Sequence, residues 1–375
     1  MGTFMKGAPL SKADIAAEGT PFILYGELYT TYSEVAYEIQ RKTDKEVEPQ
    51  FYSRIGDVIM PTSGETPEDI ATATCVMTPN VILAGDLLIY RTTAVDGRII
   101  SYAIKNKVNK QIASVAQGKS VVHVRAEELG KVIINYPTKA EQEKIITMLA
   151  LLEQRLVLQK RIIETLKKYK RGVIYELFVN PDSQFDVEMA AIPMSQLLTE
   201  YRNRNTEGLR VCSVAVSKGV VDQIEHLGRS FAANDTSHYG RVKFGDVVYT
   251  KSPTGDFPFG IVKQSKLNEE VAVSPLYGVY TPASYATGNL IHAYFEQYQY
   301  ANNYICTLAQ KGAKNTINIT NQRFLEKGIR FPVNERDREY FSAMLDMLTE
   351  KAIKAEKMLE YLLAQKRTLL AKMFI

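Results

Sequence analysis

The sequence predicts an α+β protein with two similar globular heads, each followed by a long α-helix. Three observations predict it: an amphipathic helix in mid-chain, a copy of its apolar pattern 196 positions later, and strand motifs repeated upstream of both. We expect the two helices to pair as an antiparallel coiled coil with pseudo-two-fold symmetry. The predicted segments are head 1–137, helix 138–180, head 181–333 and helix 334–375.

The composition is that of a globular protein too long for one ordinary core. The chain has 375 residues, of which 45% are hydrophobic and 23% charged, and single cores stop growing at about 250–300 residues. No apolar run approaches the roughly 18–20 residues of a membrane span. The first residues lack the apolar core of a signal peptide. Three widely separated cysteines favour a reducing compartment, so we expect a cytoplasmic protein.

Each head has a mixed pattern of short strands and helical segments. The first head begins a strand after a Gly-Asp turn and shows further strand-like and helix-like runs, at residues 58–60, 121–124 and 132–136 for strands and 99–115 for helix. The second head repeats them at residues 247–249, 316–320, 327–331 and 290–308. Each head is therefore expected to be α+β.

Two longer motifs identify the heads as copies. RIGDVIMPTSGET (54–66) is echoed by KFGDVVYTKSPTGD (243–256), with an offset of 189 at the Gly-Asp pair. AQGKSVVHVRAEELGKVIINYP (116–137) is echoed by AQKGAKNTINITNQRFLEKGIRFP (309–332), with an offset of 193 at the Ala-Gln pair. The changing offset is what small insertions after a duplication produce.

The central helix has a clear start, stop and apolar seam. Thr138 and Glu141 form a capping-box pattern after Pro137, and Asn180-Pro181 ends the helix because proline cannot continue its hydrogen-bond ladder. Its nine Lys/Arg against five Asp/Glu over residues 139–180 account for most of the chain's net charge of +4. The seam alternates four- and three-residue steps with one polar position, at Ile145, Leu149, Leu152, Leu156, Gln159, Ile163 and Leu166.

The last segment carries the second helix of the predicted pair. Its seam residues each lie 196 positions after their counterparts, and they are Phe341, Leu345, Leu348, Ala352, Ala355, Leu359 and Leu362. The basic pair Lys170-Arg171 recurs as Lys366-Arg367. We expect these two stripes to face each other.

Motifs for catalysis are missing from the sequence. Gly118-Lys119-Ser120 resembles the end of a phosphate loop, but Ala113 stands where its first glycine belongs. Asn180-Pro181-Asp182 fails the Asn-Pro-Pro-aromatic pattern of adenine methyltransferases. The four histidines and three cysteines show no metal-ligand spacing. We expect no catalytic residue, no metal and no cofactor.

Two heads on paired helices suit an elongated target with two spaced contacts, and duplex DNA is such a target. Polar loop residues at matched places in the heads are the candidate DNA contacts: Thr62, Ser63, Thr66, Gln117, Lys119 and Ser120 in the first, and Lys251, Ser252, Thr254, Lys311, Lys314 and Asn315 in the second. Basic residues such as Arg91, Arg98, Arg241 and Lys263 could contact phosphates. The alternative interpretation is that these are solvated turns and surface charges.

Four features together carry a family resemblance over essentially the whole chain: GTPFILYGELYTTY (19–32), the segment 116–137, the helix entry from Pro137 to Ile145, and the duplicated plan. In these the chain resembles the DNA-specificity (S) subunits of type I restriction–modification systems. The resemblance implies two target-recognition domains that each read half of an interrupted duplex site, with the long helices fixing the gap. It also implies two methyltransferase (M) subunits and restriction/translocase (R) subunits as partners, no membrane, and no catalysis by this chain.

Two other function classes remain open at this point. One is a stand-alone DNA methyltransferase or nuclease without recognisable motifs. The other is a coiled-coil scaffold that binds no DNA, in which the polar loops are only loops.

Overall fold

The protein has a mixed α/β architecture with one long helix in mid-chain and another at its C-terminal end. The structure, a computed structural model, describes residues 2–118, 122–180, 183–229, 231–311 and 317–374. Contacts divide the chain into a first unit, Met1–Lys160 with Lys357–Ile375, and a second unit, Arg161–Glu356. Both long helices cross this division, so the four segments proposed along the chain stay a prediction.

The first unit consists of short strands around a central sheet, with small helices at its edges. Its strands are β1 (Gly2–Lys6), β2 (Thr20–Leu24), β3 (Val35–Ala36), β4 (Lys42–Thr43), β5 (Asp57–Pro61), β6 (Ser63–Gly64), β7 (Thr74–Val76), β8 (Ile82–Ala84), β9 (Leu87–Thr92) and β10 (Val122–His123). Its helices are α1 (Glu27–Thr30), α2 (Pro67–Ile70), α3 (Gly97–Ala103), α4 (Asn109–Val115), α5 (Ala126–Leu129) and the start of α6 (Lys139–Phe178).

The main sheet of the first unit has the strand order β1-β9-β5-β7-β3. All five residues of β5 are buried, which is typical of a strand covered on both faces. A second sheet has the order β4-β2-β8, and β10 pairs with β6. The predicted strand at residues 58–60 is therefore confirmed, with one further residue at each end.

The second unit has more strands and two longer helices. Its strands are β11 (Met189–Pro193), β12 (Leu198–Glu200), β13 (Val211–Ala215), β14 (Gly219–Asp222), β15 (Gly240–Val242), β16 (Val247–Tyr249), β17 (Val262–Gln264), β18 (Val271–Val273), β19 (Gly278–Pro282), β20 (Gln310–Lys311), β21 (Ile317–Asn318) and β22 (Gly328–Pro332). Its helices are α7 (Met194–Leu197), α8 (Gln223–Leu227), α9 (Tyr285–Glu296), α10 (Tyr298–Ile305), α11 (Asn321–Leu325) and the start of α12 (Glu335–Met373).

Two four-stranded sheets form the second unit, in the orders β12-β19-β16-β17 and β14-β13-β18-β15. Pairs of strands are added by β11 with β22 and β20 with β21. The core of the first of these sheets continues into the helices, because buried residues of β16 and β19 share one apolar cluster with α9, α10 and the ends of α6 and α12 that belong to this unit.

Strand registers show how the two heads correspond. In the first unit Tyr90 of β9 lies opposite Val58 of β5 and opposite Phe4 of β1. In the second unit Tyr280 of β19 lies opposite Val247 of β16 and opposite Glu200 of β12. Val58 and Val247 hold the same place in the repeated motif. The edge strands β1 and β12 therefore occupy equivalent positions.

Paired glycines allow helix and turn to approach closely in both units. A Cβ atom on Gly97, the first residue of α3, would lie 2.1 Å from the carbonyl oxygen of Gly56. A Cβ atom on Gly288, in the first turn of α9, would lie 3.1 Å from the carbonyl oxygen of Gly245. The turn glycines themselves have φ values of +91° and +86°, a region that only glycine enters readily. The duplicated motif thus builds the same contact twice.

The expected strand at residues 132–136 is wrong. This segment has no regular structure, and Ile133 at its start is 76% exposed. Its counterpart in the second head, β22, is a strand because β11 pairs with it from Met189 to Pro193. In the described part of the first unit no such partner strand lies beside residues 132–136. A strand needs its backbone groups paired, so periodicity alone did not suffice here.

The helical runs within the heads are confirmed with two breaks. Residues 97–115 include a π-helical stretch, Ile104–Val108, between α3 and α4. The run at 290–308 is divided at Gln297, whose extended backbone (φ −86°, ψ 112°) separates α9 from α10.

Helix α6 is a single helix of 40 residues, as the sequence predicts. The Glu141 carboxylate accepts hydrogen bonds from the Thr138 amide (2.9 Å) and hydroxyl (2.7 Å). Thr138 thus donates its hydroxyl to a charged group instead of accepting from the helix, as a full capping box would require. All fourteen seam positions named above are buried or half-buried. No helix in the described ranges combines the length and apolar character needed to cross a bilayer.

Candidate nucleic-acid interface

The first unit contains a broad cavity of about 1610 Å³ with a mixed polar and apolar lining. The end of β1, the residue after β5, the turn before β9 and the segment leading into α5 contribute to its wall. Four of its lining residues matter most below: Lys6, Thr62, Gln117 and Arg125. We call it the first cavity.

The second unit contains a smaller cavity of about 720 Å³. It is lined by Glu200, Arg202, Lys251, Ser252, Pro275, Leu276 and the segment 319–322. These residues belong to the end of β12, the loop after β16, the turn before β19 and the start of α11. We call it the second cavity.

The two cavities lie at equivalent places in the duplicated heads. The strand register that pairs β1 with β12 makes Lys6 equivalent to Arg202. The offset of 189 makes Thr62 equivalent to Lys251. Alignment of the Pro137 and Pro332 ends makes Arg125 equivalent to Thr320. The duplication therefore places a cavity at the same position in both heads.

Lys251 is the most unusual residue of the second cavity. Its φ of +55° places it in the left-handed region, where a lysine is uncommon. Burial lowers the pKa of its ammonium, and the charge of Glu200 raises it in part. Glu200 is itself held by Arg202 (2.7 Å) and by the side-chain amide of Asn321 (2.8 Å). Arg202 and Asn321 thus hold the Glu200 carboxylate in place, and the Lys251 ammonium can still donate hydrogen bonds to a ligand in the cavity.

The predicted contacts of the first head have unequal positions. Thr62 and Gln117 line the first cavity, and Gln117 is exposed. Ser63 is buried, and its hydroxyl donates to the Asp86 carboxylate at 3.1 Å. Thr66 caps α2 by accepting from the Asp69 amide at 3.1 Å. Ser63 and Thr66 thus have clear structural roles.

Among the predicted contacts of the second head, Lys251 and Ser252 line the second cavity. Thr254 closes a tight loop through two backbone hydrogen bonds of 3.0 Å with Phe257. The remaining candidates cannot be placed: Lys119, Ser120, Lys314 and Asn315 lie outside the described residues, as does the side chain of Lys311.

Four basic residues expected to contact phosphates are engaged within the heads. The Arg91 guanidinium bonds the Asp57 carboxylate at 3.1 Å and the Tyr52 carbonyl at 2.7 Å. Three others also pair with acids: Arg98 with Asp96, Arg241 with Glu207 and Glu270, and Lys263 with Glu296. A phosphate contact by any of these four would compete with an ion pair already present in its head, and it stays a prediction. Charge in the sequence does not show which cations already have partners.

Two carboxylates that directly follow glycine stabilise turns. Asp57 accepts from the Arg54 amide at 2.8 Å, and Asp246 accepts from the Lys243 amide at 2.8 Å. Cys75 and Cys212 lie buried in strands. Burial raises the pKa of the Cys212 thiol to about 11, so it stays protonated at neutral pH.

Partly buried ionic clusters join each head to helix residues of its own unit. In the first unit, the Lys366 ammonium lies 2.8 Å from Glu34 and 2.6 Å from Glu153. Burial alone would lower the pKa of Lys366, but these two carboxylates raise it.

In the second unit, the Glu296 carboxylate lies 2.8 Å from Lys170, 3.3 Å from Lys263 and 3.2 Å from His292. Burial would raise the pKa of Glu296, but His292 and the two lysines hold it far below its ordinary value. Burial lowers the pKa of His292. Lys170 and Lys366 are the equivalent lysines of the repeat, so both clusters use the same helix position.

Sequence reasoning missed Lys6, Arg125, Arg202 and Gln322 as lining residues. The repeat offsets could have suggested Arg125 and Gln322, because both lie in the echoed segment 116–137 and 309–332. Lys6 and Arg202 carry no local signal, since only the strand register brings them to a cavity.

No protein-family model matches the chain, and the search of curated proteins found no match. A crystal structure of the type I restriction–modification S subunit from M. genitalium is 16% identical to this chain, and the match covers 100% of this chain and 94% of that one with a TM-score of 0.63.

Two further structures are less similar. One is a crystal structure of the HsdS subunit from Thermoanaerobacter tengcongensis, which is 13% identical to this chain. The match covers 90% of this chain and 84% of that one with a TM-score of 0.43. The other is a structure described as the structural basis of complex assembly and conformational transition of the type I R-M system. It is 14% identical to this chain, and the match covers 89% of this chain and 83% of that one with a TM-score of 0.44. At its full length, this chain has the fold of a type I restriction–modification S subunit.

Proposed function

We propose that this chain is a sequence-specific DNA-binding subunit that recognises a bipartite, interrupted duplex site. One observation carries the proposal: the chain has the fold of an S subunit over its whole length and contains two equivalent heads with cavities at matched positions. Each head would act as a target-recognition domain for one half-site.

The two long helices are proposed to pair as an antiparallel coiled coil with pseudo-two-fold symmetry. Contacts within each unit support this pairing. In the first unit Leu149 and Leu370 share a buried cluster, and one turn further along α6 Glu153 bonds Lys366. In the second unit the Lys167 ammonium lies 2.6 Å from Glu356. Residues later in α6 therefore contact residues earlier in α12, which is the pattern of two antiparallel helices.

We further propose that two methyltransferase (M) subunits and restriction/translocase (R) subunits assemble with this chain, in the cytoplasm of a bacterium or archaeon. The chain itself would catalyse nothing and hold no cofactor, so that methylation and cleavage belong to the partners. The exposed basic residues of α6 are a candidate docking face for them or for the DNA between half-sites.

Sequence-resolved mapping of adenine methylation tests the proposal. A host that carries the chain with its partners should methylate one bipartite motif, and deletion of the chain alone should abolish that motif. Exchange of the two heads, 1–137 and 181–333, should reverse the half-site order. Unchanged methylation after deletion would contradict the proposal, and methylation by the purified chain alone would indicate an enzyme. A scaffold without DNA binding would tolerate the exchange with no change of motif.

The helices are proposed to set the distance between the half-sites. Insertion of one heptad into both α6 and α12 at matched positions should widen the permitted gap and leave both half-sites unchanged. A changed half-site with an unchanged gap would contradict this role of the helices.

A further inference from the structure

We infer that the two cavities are the base-reading surfaces, and that Arg125 in the first and Lys251 in the second each donate to the acceptor edge of a guanine. The inference depends on the proposed DNA-binding function. Guanine presents two acceptors, O6 and N7, in the major groove, and arginine or lysine is the usual donor to them.

Comparison of the duplicated heads separates residues that maintain the fold from residues that line a cavity. The positions that shape the Gly-Asp turn are the same in both copies: Gly56 and Gly245, Asp57 and Asp246, and Gly97 and Gly288. The cavity positions differ at every matched pair: Phe4 and Glu200, Lys6 and Arg202, Thr62 and Lys251, Arg125 and Thr320, and Glu127 and Gln322. Two readers on one scaffold would differ in this way when their half-sites differ.

Lys251 is held in a conformation that its own backbone disfavours. Its φ is +55°, and the surrounding chain fixes it, because the Thr250 hydroxyl accepts from the Ile261 amide at 3.0 Å and Gly260 packs against the Lys251 amide. Strained residues of this kind concentrate at functional sites. Lys251 is half-buried, and within the described ranges Glu200 acts on its ammonium by charge but forms neither a hydrogen bond nor a salt bridge with it. A partly dehydrated donor of this kind gains from a fixed acceptor.

Arg125 has the same availability in the first cavity. It directly precedes α5, is exposed, and pairs with no acid in the portion of the chain that is described. By contrast, Arg91, Arg98 and Arg241 are all engaged by carboxylates. Arg41 also lines the first cavity, but its guanidinium lies 3.2 Å from the Glu27 carboxylate. Among the described residues, Arg125 is therefore the lining arginine without an acidic partner.

Selection from a random duplex library tests the inference on the full chain assembled with its methyltransferase partners. Lys251→Met should abolish the preference for guanine at one position of one half-site, by about ten- to a hundred-fold. Arg125→Met should do the same in the other half-site. Lys218→Met is the matched control, since Lys218 is an exposed lysine in a turn of the second head and lines neither of the two cavities.

Lys251→Gly accompanies Lys251→Met, because glycine suits the left-handed backbone and should keep the fold. If the wild-type complex enriches no bipartite sequence, the proposed function itself fails. If it enriches one, and both Lys251 variants weaken all sequences equally, the lysine contacts phosphate and the base-reading inference is wrong. Loss of preference in both half-sites from one substitution would overturn it as well.

Discussion

Glu296→Gln should destabilise the second unit by about 3 kcal/mol, near the lower end of the range for breaking a buried ion pair. The carboxylate faces two lysines and one histidine at 2.8 to 3.3 Å. The Lys263 side chain is only 6% exposed, so its charge would lose its counter-charge without gaining water. Lys170 is 22% exposed and can rehydrate in part, which is why we expect the lower end.

Urea unfolding monitored by circular dichroism measures the total change, and hydrogen exchange of the α9 amides locates it. Exchange should accelerate in α9 of the second unit and stay unchanged in α3 of the first. Glu350→Gln is the control, because the Glu350–Lys354 pair lies on an exposed helix face and such pairs contribute little. Equal effects of Glu296→Gln and Glu350→Gln would refute the reasoning.

The same cluster predicts how stability changes with pH. The folded-state pKa of Glu296 is depressed, so its contribution is complete above the unfolded value of about 4.3 and is lost as pH falls below it. The folded-state pKa of His292 is also lowered, so protonation of the unfolded chain reduces stability below about pH 6.5. Urea midpoints from pH 8 to pH 4 should therefore fall, and Glu296→Gln should flatten the part below about pH 5. An identical slope in the variant would contradict this assignment.

Two pairs of substitutions test the packing. Gly97→Ala should destabilise the protein by about 1–3 kcal/mol, because its Cβ would lie 2.1 Å from the Gly56 carbonyl oxygen. Gly172→Ala has no atom within 4 Å of its Cβ and should stabilise the protein by about 0.5–1 kcal/mol. Thermal unfolding measures both changes, and shifts of the same sign would contradict the contact. Leu345→Ala, at a seam position that is 1% exposed, should lower the free energy of unfolding by about 2–5 kcal/mol. Leu151→Ala, at a position that is 62% exposed, should lower it by less than about 0.5 kcal/mol. Urea unfolding measures both, and equal losses would contradict the predicted seam.

Elements determined by local patterns were predictable from the sequence. The start and end of α6 follow from Thr138, Glu141 and Asn180-Pro181, whose effects act within one turn. The Gly-Asp turns before β5 and β16 were predictable because positive φ at Gly56 and Gly245 is a property of single residues. Both features depend on neighbours in sequence.

Features determined by distant partners were not predictable. Residues 132–136 have a strand pattern but no partner strand in the described first unit, whereas β22 has one. Arg91 seemed available as a surface charge, but the fold places it beside Asp57. The cavity residue Lys6 reaches its place only through the pairing of β1 with β9. In each case the deciding contact is far away along the chain.

The equivalent lysines Lys170 and Lys366 set a rule for evolution by recombination. Each bonds an acid supplied by a head, Glu296 in one case and Glu34 in the other, although these acids come from different elements of the two heads. A head acquired from another gene would therefore keep this ionic contact on either helix if it presents one carboxylate near this lysine. Recombination could thus change what a head binds without any change in the helices that carry it.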